Sequence, residues 1–346
     1  SVGKKCGYSG TLGAGFGDSL VNLNNTTPNV IALNWWLQEF LKKKCFATAV
    51  EISSHALEQR RISGVDFDVA IFTNLGHDHL DYHQTLSSYA KSKSLLFKEY
   101  NIGSAVINVD DPMGSNLAAE IVDADLWTCS SGTLDAHAAR VLAKRINCTR
   151  KGISFDLHAD GQSARVRSGL VGRFNVDNLL CVGGALLAAG IEFERVIHSI
   201  GNVKTIPGRM ENCGKTESGA LVFIDYAHSP DSLRAAAKSL RTLSEGHLVI
   251  VFGCGGDRDR TKRRAMGSVA AEFFDKIILT NDNPRNEEPN AIALEILEGT
   301  AGHSSVSTIL DRRLAIEASL RGATTGDVIL IAGKGHETFQ EEQGIL

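Results

Sequence analysis

The sequence predicts an α/β protein of two consecutive domains, a parallel sheet with a small antiparallel part followed by a Rossmann-like doubly wound unit. Three observations carry this reading. Short β-rich apolar runs alternate with helical patterns along the chain; one stretch of strict polar–apolar alternation interrupts them; and glycine-rich polar segments follow the apolar runs of the second half. With 346 residues there is room for two or three domains of ordinary core size.

Phe46–Ile52, Phe67–Asn74 and Ala105–Val109 are apolar and rich in β-branched residues and read as strands, with a helix over Leu86–Glu99. From Gly152 to Leu170 polar and apolar residues alternate between polar turns, which predicts an antiparallel insertion. Helices follow at Val176–Ala189 and Phe193–Ile200, and a first domain over 1–203 closes beside Thr205–Gly208. The second domain, 204–346, has strands at Ala220–Tyr226, Leu248–Gly253, Lys276–Thr280, Val306–Leu310 and Val328–Ala332, separated by helical segments. An open doubly wound sheet binds ligands at its strand C-termini. Four of those strands run into Asp225-Tyr-Ala-His228, Gly253-Cys-Gly-Gly-Asp-Arg258, Asn281-Asp-Asn-Pro-Arg285 and Gly333-Lys-Gly-His-Glu337. Polar chemistry therefore gathers on one edge.

Composition excludes several classes. Lys+Arg 36 against Asp+Glu 40 leaves a net charge of -4, so no global basic field exists for nucleic acid or an anionic membrane. Seven scattered cysteines without a Cys-x-x-Cys pair suit reduced cytoplasmic thiols rather than a disulfide framework or structural zinc. No apolar run approaches the ~20 residues of a membrane span, and no charged-then-apolar leader opens the chain. The expectation is a soluble cytoplasmic protein. A Gly-x-x-x-x-Gly-Lys-Ser/Thr loop ending at Gly214-Lys215-Thr216 would need glycine at 209, where Arg209 stands. Neither Gly10–Gly17 nor Gly253–Gly256 makes the dinucleotide fingerprint, which disfavours a dehydrogenase. Ser1 and the polar sequence around Leu346 read as the ends of a fragment.

Glu51, Ser53, Ser54, His55, Gln59 and Arg61 follow one strand, and His77, Asp78, His79 and Asp81 follow the next. In adjacent parallel strands these loops would share a crevice suited to an oxygen-rich Mg2+ site, although histidine is an uncommon Mg2+ ligand. The alternative is that Glu51 and Ser53 cap the next helix and His79 packs in the core. Lys91, Lys93 and Lys98 suit a solvated helix face, and Asn25, Thr26 and Thr27 suit a turn before proline. Arg258, Arg260, Lys262, Arg263 and Arg264 could bind carboxylate or phosphate, or form a solvated helix start. Asp282, Asn283 and Arg285 around Pro284 offer both signs of charge to a zwitterion, or make only an Asn-Pro turn. Asp225 and His228 have the spacing of a general-base pair, but no Gly-x-Ser-x-Gly nucleophile accompanies them.

Taken together, Asn25-Thr-Thr, Glu51-Ile-Ser-Ser-His, Thr73-Asn-Leu-Gly-His-Asp-His-Leu-Asp81, Gly208-Arg-Met-Glu211, Asp225-Tyr-Ala-His-Ser-Pro-Asp231 and Gly333-Lys-Gly-His-Glu337 resemble the Mur ligase family, most closely its diaminopimelate-adding members. The resemblance spans nearly the whole chain. It implies a central domain of the P-loop type, here without its P-loop, and an ATP-dependent ligase of peptidoglycan synthesis. ATP would phosphorylate the free carboxylate of UDP-MurNAc-L-Ala-D-Glu, and the amine of meso-diaminopimelate would attack the acyl phosphate.

Carried over by position, the resemblance implies that Asn25, Thr26, Thr27, Ser53, Gln59 and Arg61 hold the nucleotide-sugar dipeptide. Glu51 and His79 would be Mg2+ ligands, joined by Lys93 as a carbamate. Asn74, Asn175, Asn178, Arg209, Asp225, Tyr226 and His228 would contact ATP. Arg258, Asp282, Asn283, Pro284, Arg285, Gly333 and Glu337 would form the diaminopimelate pocket, Arg285 pairing with the distal carboxylate that lysine lacks. The expected partners are small molecules, with no nucleic acid and no membrane, and the expected state is a monomer. Without the family's amino-terminal domain, and without the strand, P-loop and helix expected before Ser1, the chain alone should be inactive, and its first domain should expose apolar surface. Alternatives are lysine addition, a folylpolyglutamate-type ligase, or a binding fragment without catalysis.

Overall fold

The computed structural model describes residues 3–17, 19–76, 78–132 and 139–345. A small sheet opens the chain, in order β3-β2-β1-β4, from β1 (Cys6–Gly10), β2 (Gly13–Phe16), β3 (Ser19–Val21) and β4 (Ala47–Val50). Helix α1 (Val30–Lys42), capped by the Asn29 side chain, carries the chain back so that β4 lies parallel to β1. A six-stranded sheet, order β10-β9-β8-β7-β6-β5, follows from β5 (Phe67–Phe72), β6 (Ile102–Asn108), β7 (Asp125–Ser130), β8 (Val141–Thr149), β9 (Gly152–Ala159) and β10 (Gln162–Ser168). Strands β5 to β8 are parallel, and β8, β9 and β10 form the antiparallel part. The antiparallel part thus begins one strand earlier than the alternation shows, because β8 has three buried residues in succession at its start and conceals its period.

Helices α2 (Ser54–Glu58), α3 (Leu80–His83), α4 (Leu86–Glu99) and α5 (Pro112–Glu120) link these strands, and α6 (Phe174–Ala188) and α7 (Phe193–Gly201) pack on the second sheet. Val106, Trp127, Phe155, Leu157, Leu179, Leu180 and Val196 form its main core. Strands β4 and β5, expected as neighbours, lie in different sheets. Phe46 and Ile71, beside and within them, are 48% and 42% exposed.

The third sheet, order β11-β12-β16-β13-β14-β15, comprises β11 (Glu211–Lys215), β12 (Leu221–Asp225), β13 (Leu248–Phe252), β14 (Lys276–Leu279), β15 (Val306–Thr308) and β16 (Val328–Ala332). All its pairings except β11–β12 are parallel. Every residue of β13 is buried, as both faces of a parallel sheet are covered by helices. Those helices are α8 (Pro230–Arg241), α9 (Thr261–Phe273), α10 (Pro289–Gly299) and α11 (Arg312–Arg321). Ser229 begins α8 with a capping box and Pro230 at its first turn, which fixes the direction in which the chain leaves β12. Among the described residues no helix is long and apolar enough to cross a membrane.

Candidate active site

A cleft of about 450 Å3 lies where the loops after β4 and β5 face the C-terminal edge of the third sheet. The third sheet contributes Tyr226 and His228 after β12, Gly253 to Gly255, Arg258 and Asp259 after β13, Asp282, Asn283 and Arg285 after β14, and Gly333 and Glu337 after β16. This is the crevice beyond the carboxyl ends of a parallel sheet, reached by four separate loops.

Two glycines make the convergence possible. A Cβ on Gly256 would overlap the Pro284 carbonyl oxygen, and one on Gly333 would overlap the Asp282 carboxylate. The glycine-rich turn after β13 thus serves loop-to-loop packing, which explains glycines that form no dinucleotide fingerprint. Gly256 N–H donates to the Asn283 carbonyl at 3.0 Å, and Arg285 Nη1 donates to the Gly256 carbonyl at 2.8 Å. The Asp257 carboxylate accepts from Asn286 Nδ2 at 2.7 Å, while the Asp257 N–H donates to Glu287 Oε1 at 2.6 Å. The loops bearing Arg258 and Arg285 are joined at every step.

Charges of both signs meet behind them. Lys334 Nζ lies 2.9 Å from Asn283 Oδ1, 3.2 Å from Glu337 Oε2 and 3.7 Å from Asp282 Oδ1, and Asn283 Nδ2 donates to Glu337 at 2.8 Å. Burial pushes the Asp282 carboxyl up, against the pull of Arg312 and Lys334. Arg312 donates to the carbonyls of Asn281 (3.2 Å) and Ala332 (2.7 Å), tying the ends of β14 and β16. Among the described residues no side chain pairs with Arg258, so its guanidinium is available to an anion.

The opposite wall carries Asn25, Thr26, Ser53, His55, Arg61, Asp78, His79 and Asp81. The loops after β4 and β5 therefore do share a crevice, although their strands are not paired. Ring contacts bring them together: the His55 ring centroid is 4.0 Å from Tyr82 and 5.2 Å from His79. His79 holds a left-handed backbone, φ 57°, unusual outside glycine and frequent at functional sites. Its neighbour His77 lies outside the described residues. Lys93 on α4 sits 5.1 Å from the Tyr89 ring centroid, and burial pushes its ammonium pKa down despite Asp78.

Asp78 connects the two walls. Its Oδ2 accepts from His228 Nε2 at 3.0 Å, and Lys262 Nζ stands 4.0 Å from its Oδ1. Burial works to raise the Asp78 pKa, but the His228 hydrogen bond, with the charges of His228 and Lys262, outweighs it and holds the carboxyl well below the usual range. A depressed carboxylate pKa stabilises the fold above its ordinary value near ~3.9, and the contribution is lost as pH falls through the lower folded value. Asp78→Asn is therefore expected to lower Tm at neutral pH and to converge with the wild type at strongly acidic pH. Equal melting curves across the whole pH range would refute this role.

Several expected ligands occupy other places. Thr27 is fully buried, its hydroxyl donating to the Glu51 carbonyl (2.8 Å) and accepting from Ser53 N–H (3.0 Å), while Arg61 Nη1 donates to its carbonyl. It props the loop and does not line the cleft. Ser53 both lines the cleft and caps α2. Gln59 lies outside the lining, its Oε1 accepting from Arg61 Nε at 2.9 Å. Both Glu51 oxygens are engaged, one by the Tyr8 hydroxyl and the other by Thr11 N–H at 3.0 Å and Thr11 Oγ1 at 2.6 Å. Glu51 is not part of the cleft lining. Asn74 is exposed after β5, and Asn175 and Asn178 bond to the Val171 carbonyl and to each other on α6. Arg209 stacks 4.2 Å from the Tyr226 ring centroid, outside the lining. The Asp225 carboxylate accepts from Met210 N–H (2.6 Å) and Ala227 N–H (2.8 Å), which holds the turn, and Pro284 is buried behind the lining. The sequence places Asp78 in the crevice without a role of its own, since that role depends on His228, 150 positions away.

The model of the Mur ligase middle domain matches residues 2–186, and that of the Mur ligase glutamate ligase domain matches residues 208–335. The UDP-N-acetylmuramoyl-L-alanyl-D-glutamate--2,6-diaminopimelate ligase of Coxiella burnetii is 41% identical over 342 residues, 98% of this chain and 70% of that protein. The protein of the same name from Xylella fastidiosa (strain Temecula1) is 41% identical over 346 residues, 99% of this chain and 69% of that protein. A solved structure of a ligase of that name aligns with a TM-score of 0.67 and 36% identity, covering 99% of this chain and 70% of the other. Mycobacterium tuberculosis folylpolyglutamate synthase complexed with ADP aligns with a TM-score of 0.71 at 19% identity, covering 96% and 82%, a likeness of fold.

Proposed function

Because this chain belongs to the Mur ligase family, whose members are ATP-dependent ligases forming C–N bonds, we propose that it carries the amine-side and carboxylate-side machinery for adding meso-diaminopimelate to UDP-MurNAc-L-Ala-D-Glu. The observation that supports this most is the convergence of Arg258, Arg285, Asp282, Asn283 and Glu337 on one cleft wall, facing Ser53, His55 and Arg61 across it. A cleft with cationic and anionic groups on one side suits a zwitterion with an extra carboxylate.

The reaction balances without a covalent enzyme nucleophile. An oxygen of the glutamyl carboxylate attacks the γ-phosphorus of ATP and ADP leaves; the amine nitrogen then attacks the acyl carbon, phosphate leaves and the nitrogen gives up a proton. The enzyme must therefore hold two anions and an amine in line, a matter of positioning and electrostatics. Arg258 and Arg285 take the carboxylates of the amino acid, Asp282 and Glu337 its ammonium groups, and Asn25, Thr26, Ser53 and Arg61 the dipeptide. Tyr226 and His228 serve the nucleotide.

Among the described residues no three His, Cys, Asp or Glu side chains are grouped to hold a metal ion, so a Mg2+ site here would depend on Lys93 becoming an oxygen ligand. The uncharged amine, favoured by burial, is the form that adds CO2, and the resulting carbamate would present oxygen beside Asp78 and His79. When bound, Mg2+ would screen the phosphate charges. Glu51 could join only by giving up a bond to Tyr8 or Thr11.

Titration of the 346-residue chain with meso-diaminopimelate and L-lysine, alongside an assay of ADP release with the dipeptide nucleotide and 13C-bicarbonate spectra, tests this reading. Selective diaminopimelate binding and a carbamate signal lost in Lys93→Ala are the expected results, and ADP release that requires diaminopimelate would show that this chain turns over without the Gly-x-x-x-x-Gly-Lys-Ser/Thr loop. Equal affinity for lysine would overturn the specificity. Selective binding without ADP release would favour the second reading, a binding piece without turnover, which rests on the missing Gly-x-x-x-x-Gly-Lys-Ser/Thr pattern.

A further inference from the structure

After β16 the chain turns back over the loop that follows β14. Glu341 N–H donates to Asn283 Oδ1 at 2.9 Å, Arg285 N–H donates to the Glu341 carbonyl at 3.1 Å, and Gln343 N–H donates to the Arg285 carbonyl at 2.8 Å. Arg285 and Glu342 form a bridge of parallel sense. This short strap holds Arg285 in a left-handed backbone, φ 53°, which a non-glycine residue adopts only when its surroundings enforce it.

The side chain is constrained from the same direction. Arg285 Nε lies 3.0 Å from Glu341 Oε2, and Nη1 donates to the Gly256 carbonyl at 2.8 Å. Among the described residues Nη2 has no hydrogen-bond partner, and Arg285 lines the cleft. Arg285 and Glu341 side chains are 20% and 33% exposed, so the pair is reached by solvent but not free in it. A guanidinium is planar, and fixing Nε and Nη1 fixes the direction of Nη2.

We infer that Glu341 is a positioning residue that orients Arg285 so that Nη2 is presented to the distal carboxylate of the incoming amino acid. Discrimination against an amino acid lacking that carboxylate then depends on a residue that does not itself line the cleft. The inference rests on the proposed reading of Arg285. Without Glu341 the guanidinium rotates about its last side-chain bonds, and the carboxylate must be captured from a spread of orientations.

The test is calorimetric titration of the 346-residue chain with meso-diaminopimelate and with L-lysine, comparing the wild type with Glu341→Gln, Glu341→Asp and Arg285→Ala. Glu341→Gln is expected to weaken diaminopimelate binding by about tenfold, the worth of a charge-assisted contact, while lysine affinity and Tm stay unchanged. Glu341→Asp is expected to restore at least half of the lost selectivity. An unchanged diaminopimelate-to-lysine ratio in Glu341→Gln, or tighter diaminopimelate binding, overturns the positioning role, as does an equal loss for both amino acids. Arg285→Ala separates the two readings. If it abolishes selectivity and Glu341→Gln does not, only this inference fails; if it leaves selectivity intact, or the wild type binds neither ligand, the reading of Arg285 fails and this inference with it.

Discussion

Replacing Arg263 by methionine lowers stability by about 3–5 kcal/mol, because it leaves Glu287 without its cation and takes from Glu295 one of two, the other being Arg260. The Arg263 side chain is fully buried. Nη1 donates to Glu287 Oε2 at 2.9 Å and Glu295 Oε2 at 3.0 Å, and Nη2 to Glu287 Oε1 at 2.7 Å and the Gly255 carbonyl at 3.2 Å. The fork thus joins α9 to α10 and to the loop after β13. The Arg263 hydrogen bonds, against burial, pull Glu287 from its ordinary 4.5 to about 2. A depressed pKa means that this stabilisation is complete above about 4.5 and is lost as pH falls toward about 2. Denaturant unfolding of Arg263→Met should show the full loss at neutral pH and a smaller difference at acid pH. A loss under about 1 kcal/mol would mean the pair contributes no more than an exposed one. Replacing Arg263, Glu287 and Glu295 together by apolar residues should recover much of the loss, since no charge is then left buried alone.

Arg285→Ala is expected to cost about 2–5 kcal/mol in meso-diaminopimelate binding, the range for truncating one partner of a hydrogen-bonded charge pair. Calorimetry should show a fall of about 30-fold or more, with L-lysine affected by less than threefold. The asymmetry is the content of the prediction: lysine carries no distal carboxylate, so removing its counterpart takes nothing from it. Equal losses for both amino acids would place Arg285 on the shared α-carboxylate and pass the specificity role to another group. The opposite outcome, no loss for either, would remove Arg285 from the pocket.

The third sheet was largely legible in the sequence because its evidence is redundant. Each apolar run such as Leu248–Phe252 ends in a polar segment, and strand, turn and helix signals agree. The separation of β4 from β5 was not legible, since periodicity tells which face of a strand is buried and nothing about its neighbour. At the cleft, Arg258, Asp282, Asn283, Arg285, Gly333 and Glu337 lie together as their motifs suggest. Thr27 misled because a threonine that binds a ligand and one that props a loop look alike in sequence; only its contacts with Glu51 and Ser53 separate them. Ser53 shows that the capping and binding readings were not exclusive. Glu341 carries no motif at all. Its position is set by backbone pairing with Arg285 across more than fifty residues, an order of information that local patterns do not contain.

The joined loops after β13 and β14 bear on the order in which substrates arrive. Because their mutual hydrogen bonds, with the Arg263 fork behind them, lie within the third sheet and its helices, the proposed amino-acid pocket should move as one piece with that sheet. If the cleft widens or narrows, the distance from this pocket to the facing wall changes while the pocket keeps its own shape. Amino-acid affinity should then be the same with the opposite wall empty or filled. Steady-state kinetics would follow a random sequence on that side of the reaction, and association would be a single exponential without a slow rearrangement phase.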